Sequence, residues 1–239
     1  MKRILFKCVV VGAVLFGSIS ISQAKPWNIE SEISFVNTTG NTRTQSLGSK
    51  NKLVYERRRA SVLVDANRHA AREKGRSIAE NYFISEQIRW KIAKPNYLFE
   101  LGRWEKDRFS GMDSRLTFGG GIGREMFRTS RNSLLLEIGV QHSWEDRKSE
   151  RAERFGSTRG FGVYNLMLTG KNEFTQTAEF IKDFHDTDAY RLNMVSSIKA
   201  NVIFRMFMKI SYEIKYDNEA VRGFSKTDTI LSLSLLLDF

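Results

Sequence analysis

From Thr229 to Phe239 apolar residues stand at every second position: Leu231, Leu233, Leu235, Leu237 and Phe239. Ser232, Ser234 and Asp238 fall between them. A repeat of two belongs to a β-strand, whose successive side chains leave opposite faces. An α-helix would scatter the same residues around its axis. The stretch is about ten residues long, the length a tilted strand needs to cross a bilayer.

The pattern recurs backwards along the chain. Met208, Ile210, Tyr212, Ile214 and Tyr216 alternate with Lys209, Ser211, Glu213 and Lys215. Tyr190, Leu192, Met194 and Ile198 make the next apolar face, then Phe174, Ala178, Phe180 and Phe184. Residues 157–169 present Tyr164, Leu166 and Leu168, and the strand before them Leu134, Leu136, Ile138 and Val140. Leu116, Phe118 and Ile122 follow, loosened by Gly119, Gly120 and Gly121, then 97–106 with Tyr97, Phe99 and Leu101 outward. Residues 81–92 carry Tyr82, Ile84, Ile88, Trp90 and Ile92, and three strands near 28–37, 43–56 and 60–69 complete the set. The fold expected is all-β: an antiparallel, transmembrane up-and-down β-barrel of about 12 strands, an even count as single-chain bacterial barrels have. The mature part holds only Pro26 and Pro95, as ladders that need every N–H require.

Connections and aromatics agree. Longer polar connections at 70–79, 107–113, 144–156 and 217–226 alternate with tight ones at 57–59, 93–96 and 170–172. Tyr55, Trp90, Tyr97, Phe127, Phe174 and Phe239 fall near the short turns; Phe35, Tyr82, Trp104, Trp144, Phe184 and Tyr216 fall near the long loops. Two such rows are the girdles of a membrane barrel. A soluble sandwich or lipocalin-like barrel would turn the apolar face inward and has no use for matched rims. Charges that hydrocarbon would penalise must then line the lumen: Lys50, Lys52, Arg89, Glu100, Arg115, Glu137, Glu179, Arg191, Lys209 and Glu213, beside Glu30, Glu32, Lys91 and Lys199.

Residues 1–24 read as a signal peptide: Lys2, Arg3 and Lys7, an apolar run from Cys8 to Phe16, and Ser22-Gln23-Ala24 before a cut at Lys25. An uncleaved anchor is the alternative, but the run is short of the about 20 residues a spanning helix needs. Residues 25–239 form the barrel domain. The single cysteine, Cys8, lies in the leader, so neither a disulfide nor a thiolate metal site is expected. Without the leader 35 basic residues face 27 acidic ones. Export argues against nucleic acid as the partner of that charge and for outer-membrane lipid and lipopolysaccharide. Solvated loops with no specific partner are the plainer alternative.

Thr39-Gly40-Asn41-Thr42, Trp104-Glu105-Lys106-Asp107-Arg108-Phe109-Ser110-Gly111, Tyr212-Glu213-Ile214-Lys215-Tyr216-Asp217 and Lys226-Thr227-Asp228-Thr229, with the Leu/Ser alternation to Phe239, carry a resemblance over essentially the whole mature chain. The chain resembles the family of salt-induced outer-membrane proteins, a domain family of unknown function. The resemblance implies a barrel in the Gram-negative outer membrane and brings no catalytic residues. The terminal aromatic also looks like the signal read by the barrel-assembly machinery.

His69, His142 and His185 all fall near long-loop strand ends, where outer-membrane hydrolases keep their sites. Ser143 beside His142 points to the opposite face, and Asp186 and Asp188 beside His185 suit a polar turn. No ligand spacing for a metal appears, and neither cofactor nor enzymatic activity is expected. Glu105-Lys106-Asp107-Arg108 either binds phosphate through Lys106 and Arg108 or forms a self-neutralising cluster, the latter favoured. Arg68, Arg72, Lys74 and Arg76 make a surface basic patch at headgroup level, with a solvated loop as its plainer reading. The leading function is a narrow passive channel for ions or small solutes linked to envelope or osmotic stress. The alternatives are a non-conducting structural protein and a lipid-modifying hydrolase. The oligomeric state stays open.

Overall fold

The structure is a computed structural model that describes residues 26–39, 44–73, 76–108, 110–148, 152–220 and 223–238, with side chains described except at 44–45 and 70–80. The signal peptide, Phe239 and most of the Thr39–Thr42 motif lie outside the described residues. Twelve strands close into one antiparallel barrel: β1 (Trp27–Thr39), β2 (Thr44–Glu56), β3 (Ala60–Glu73), β4 (Arg76–Ala93), β5 (Asn96–Asp107), β6 (Met112–Arg128), β7 (Asn132–Arg147), β8 (Glu153–Thr169), β9 (Asn172–Asp183), β10 (Tyr190–Ile203), β11 (Met206–Asp217) and β12 (Thr227–Asp238). Each pairs with its neighbours in sequence, and β1 closes on β12 with Ile33 opposite Leu235 and Phe35 opposite Leu233. Closure leaves no unpaired edge, which is what a sheet in lipid requires.

Every expected strand is present, and most run further than expected. β4 begins at Arg76 and β6 ends at Arg128. Residues 70–73 and 76–79 are strand, with Arg72 opposite Ser77, so most of the long polar connection expected at 70–79 is ladder. Polarity there marks a strand that has left the apolar band, because alternation fades once both faces meet water. Pro95 stands in the β4–β5 turn, where its missing N–H costs no ladder bond and its carbonyl accepts from the Glu125 N–H at 3.0 Å.

The lipid-facing surface carries the expected leucine and isoleucine rows, with Ile33, Ile84, Ile122, Ile138, Ile210, Leu231, Leu233 and Leu235 all exposed. Apart from Tyr97 and the undescribed Phe239, the expected rim aromatics face outward, and Trp27 joins the short-turn girdle with its ring 4.2 Å from that of Tyr55. One strand is out of phase. Tyr97, Phe99 and Leu101 are buried inside the barrel, while Leu98 and Glu100 face outward. Glu100 is therefore not a lumen charge, and Tyr97 is not a rim aromatic.

The cause lies on the neighbouring strands. Gly119, Gly121 and Gly123 place no side chain on the inner face of β6, and Gly139 none on β7. A Cβ at Gly123 would overlap the Tyr97 ring, and one at Gly139 would meet Phe99 at 3.0 Å. The glycines open the space that the two rings fill, with Leu101 and Leu135 beside them. At Gly121 a Cβ would collide with the β7 backbone at Ile138 and Gly139. Gly121→Val is expected to cost roughly 3 kcal/mol or more, because the ladder cannot yield without breaking. Loss of the heat-modifiable gel band after refolding checks this, and a full yield of shifted band refutes it.

Candidate functional site

The inward side chains divide the lumen into two unlike walls. Strands β4–β10 supply arginine, glutamate and aromatic rings. Strands β11, β12, β1, β2 and β3 supply lysine, serine and the remaining acids.

On the first wall the charges form a continuous ladder. Arg89 on β4 meets Glu137 on β7 at 3.0 Å, and Arg159 on β8 meets the same carboxylate at 2.9 Å. Arg159 also donates to Glu179 on β9 at 2.6 Å. Arg103 on β5 crosses to Glu179 with two bonds, 3.1 and 2.8 Å. The Tyr97 hydroxyl donates to Glu137 at 2.7 Å, and Gln87 and Asn193 donate to Glu137 and Glu179. Each guanidinium also lies over a ring: Arg89 over Tyr97, Arg103 over Phe83, and Arg159 over Phe161 at 4.5 Å. The fork geometry of arginine allows two acids and a ring face to be held at once, which lysine cannot do. Nearer the long loops Glu145 gathers Arg115 at 2.6 Å, Arg147 at 2.5 Å and Arg191 at 3.5 Å.

On the second wall Lys209 meets Glu32 at 2.8 Å, and Lys199 reaches from β10, at the edge of the first wall, to Glu30 at 3.5 Å. Lys50 and Lys52 face the lumen opposite Glu32 and Glu30 in the β1–β2 register, and among the described residues neither amine is in an ion pair. Ser34, Ser46, Ser211 and the Nδ1 of His69 are buried here without a partner among the described residues, as are Ser157 Oγ, Gln141 Oε1 and the Nε atoms of Arg89 and Arg103 on the first wall. His69 fits only because Gly48 lacks a Cβ, which would overlap the imidazole. Buried polar groups of this kind are the ones water ordinarily satisfies.

A cavity of about 320 Å³ occupies the long-loop half of the lumen. Lys50, His69, Arg191 and Glu213 line it, and Arg103 with Glu179 form its floor. Lys215 crosses it to reach Asp107 at 3.1 Å, joining β11 to β5, which are diametrically opposite in the ring. Asp107 also accepts from Asn81 at 2.7 Å. The lumen is thus barred by side chains at two levels and, among the described residues, not filled by a folded plug.

Of the residues expected in the lumen, Lys50, Lys52, Arg89, Arg115, Glu137, Glu179, Arg191, Lys209 and Glu213 are there, and Glu100 is not. Arg103, Arg159 and Glu145 escaped sequence reasoning, and Asp107 was read only as part of the Glu105–Arg108 cluster. Arg103 and Glu105 were legible as the polar continuation of the Tyr97, Phe99, Leu101 face. Arg159 stands alone among glycines and threonine and gives no signal. The Glu105–Arg108 cluster is split: Glu105 faces Arg115 at 3.7 Å inside, and Lys106 points outward opposite Tyr82. The three histidines share no centre. His69 is inside, His142 packs outside at 4.5 Å from the Trp144 ring, and His185 is in an exposed loop. Of the basic patch Arg68 is exposed and lies over the Tyr82 ring at 5.6 Å. Arg72 and Arg76 lie outside the described side chains, and Lys74 outside the described residues.

The sequence pattern described as "Protein of unknown function, DUF481" matches residues 31–239. The chain belongs to this DUF481 family. No curated protein matches the chain at the sequence level. Among solved structures this DUF481 chain is similar to the NanC porin, at 9% identity and TM-score 0.55, over 87% of this chain and 98% of that one. It is also similar to a bacterial polysaccharide outer-membrane secretin, at 5% identity and TM-score 0.50, over 90% of this chain and 99% of that one. At such identities the likeness speaks to fold: this DUF481 chain is a closed outer-membrane-type β-barrel of twelve strands.

Proposed function

We propose that this protein is an exported outer-membrane barrel that passes small ions or solutes passively through a narrow lumen. The observation that carries the reading is the inequality of the two walls. Arg89, Arg103 and Arg159 on one wall are each fixed by acids and a ring. On the other, Lys50 and Lys52 have amines outside any ion pair among the described residues, beside buried hydroxyls that need water. A route along the lysine and serine wall stays wet while the ladder holds its shape. The similarly folded NanC is a porin, which supports the reading by analogy of fold alone. Residues 1–24 would direct export and be removed, and assembly would run through the barrel-assembly machinery. Arg68 would meet lipopolysaccharide headgroups at the rim. The resemblance to salt-induced proteins ties the passage to osmotic or envelope stress. Nothing in the placement of the histidines favours catalysis.

The test is single-channel recording of refolded mature protein in a planar bilayer. Small, discrete, salt-dependent steps are expected. Lys50→Glu with Lys52→Glu should move the reversal potential in a salt gradient toward cation preference. A folded barrel that stays silent overturns the channel reading. It would favour a structural barrel closed by the Arg103–Glu179 and Lys215–Asp107 crossings.

A further inference from the structure

Glu86 on β4 and Glu100 on β5 point out of the barrel. Glu86 lies midway between Tyr82 and Trp90, the two rim aromatics of its strand. At about 3.3 Å per residue and a tilt of about 45°, it sits roughly 10 Å from either rim. That is the middle of an apolar band about 25 Å tall. Glu100 is opposite Ile88, diagonal to Glu86, and as far from Trp104 as Glu86 is from Tyr82. Both are exposed, and among the described residues neither carboxylate has an ion-pair or hydrogen-bond partner. Their outward neighbours are Val64, Ile84, Ile88, Leu98, Gly102 and Gly120. A solitary barrel in lipid would hold two unmatched acids against hydrocarbon, although its lumen has room for charge.

A complementary surface lies a short way around the same barrel. Ser31, Ser49 and Asn51 face outward on β1 and β2, among Ile29, Ile33, Leu47 and Leu53. Ser31 stands four residues from Trp27, and Asn51 four from Tyr55; Glu86 stands four from Trp90. The two polar surfaces are therefore level with each other when two copies stand side by side in one membrane. The Ser31 hydroxyl donates to Asn51 Oδ1 at 3.1 Å. That leaves the Asn51 amide N–H groups and the Ser49 hydroxyl as outward donors, which is what two carboxylates lack.

We propose that the β4–β5 face of one copy docks against the β1–β2 face of a second copy within the membrane. Glu86 and Glu100 accept hydrogen bonds from Asn51 and Ser49 of that copy. Gly102 and Gly120 flank Glu100 on β5 and β6 and put no side chain over its carboxylate, with the exposed Phe118 ring beside Gly102. The two faces lie about a quarter turn apart on a twelve-strand ring, so the contact is head-to-tail and closes as a ring of roughly three to four copies. The interface does not depend on whether the lumen conducts.

The experiment uses the refolded mature chain in lipid vesicles, followed by native mass measurement in mild detergent. Wild type is expected above monomer mass. Glu86→Leu with Glu100→Leu should be monomeric yet still show the gel shift of a folded barrel. No cysteine follows Cys8, so Ser49→Cys and Gly102→Cys chains can be mixed and oxidised. A cross-link is expected in the mixture and not in either chain alone. Three results would each overturn the proposal: a monomeric wild type at high protein-to-lipid ratio, assembly that survives loss of both acids, or Gly102→Cys cross-linking to itself.

Discussion

Glu137→Ala is expected to lower the stability of the folded barrel by about 3–5 kcal/mol. Glu137 is fully buried and accepts from Arg89, Arg159, Gln87 and the Tyr97 hydroxyl. Removing it leaves Arg89 inside the lumen with no acid and Arg159 with Glu179 alone. Breaking a buried pair from one side costs the desolvation of the charge that remains, not the modest net worth of the pair. Glu56→Ala is the comparison, because Glu56 meets Lys91 at 2.7 Å on an exposed rim, and such pairs contribute about 0–1 kcal/mol. Urea unfolding in vesicles, followed by tryptophan fluorescence, reads both. Equal midpoints for the two variants would mean that the ladder is solvated and structurally idle.

Most of the barrel was readable because the membrane enforces one rule over long stretches. Lipid demands an apolar outer face, so strands such as β11 and β12 announce their phase in every residue. The reading failed where that rule is relaxed. On β5 both faces carry apolar residues, because Tyr97 and Phe99 fill a hollow made by glycines on β6 and β7. A local alternation cannot reveal a hollow supplied by another strand. One clue was present: Trp104, placed correctly at the rim, is in phase with Leu98 and Glu100 and out of phase with Tyr97 and Phe99.

The lumen was legible as an inventory and illegible as an arrangement. Charges of both signs had to point inward, and of those named Glu100 is the one that points out of the barrel. Which of them meet is a property of the ring and not of the chain. Arg103 and Glu179 are far apart in sequence, and their contact depends on how the twelve strands stagger. Lys215 and Asp107 come from opposite walls. No spacing in the sequence encodes a distance across a pore.

Removing the floor of the cavity as a matched pair is expected to enlarge single-channel conductance several-fold. In Arg103→Ala with Glu179→Ala both charges disappear together, so neither is left buried and unpaired, the condition under which loss of an ion pair is best tolerated. Arg159 keeps Glu137 at 2.9 Å, and Phe83 loses only the cation above its ring. The rest of the ladder therefore holds while the crossing from β5 to β9 opens. Arg103→Ala alone should behave differently: Glu179 keeps Arg159 and Asn193 but gains free negative charge, so the open lumen should shift toward cations. Planar-bilayer recordings of the wild type and both variants separate these effects as size against selectivity. If the double variant conducts like the wild type, current does not pass the Arg103–Glu179 crossing. The route then lies wholly along the lysine and serine wall, and Lys50 and Lys52 become the residues that set it.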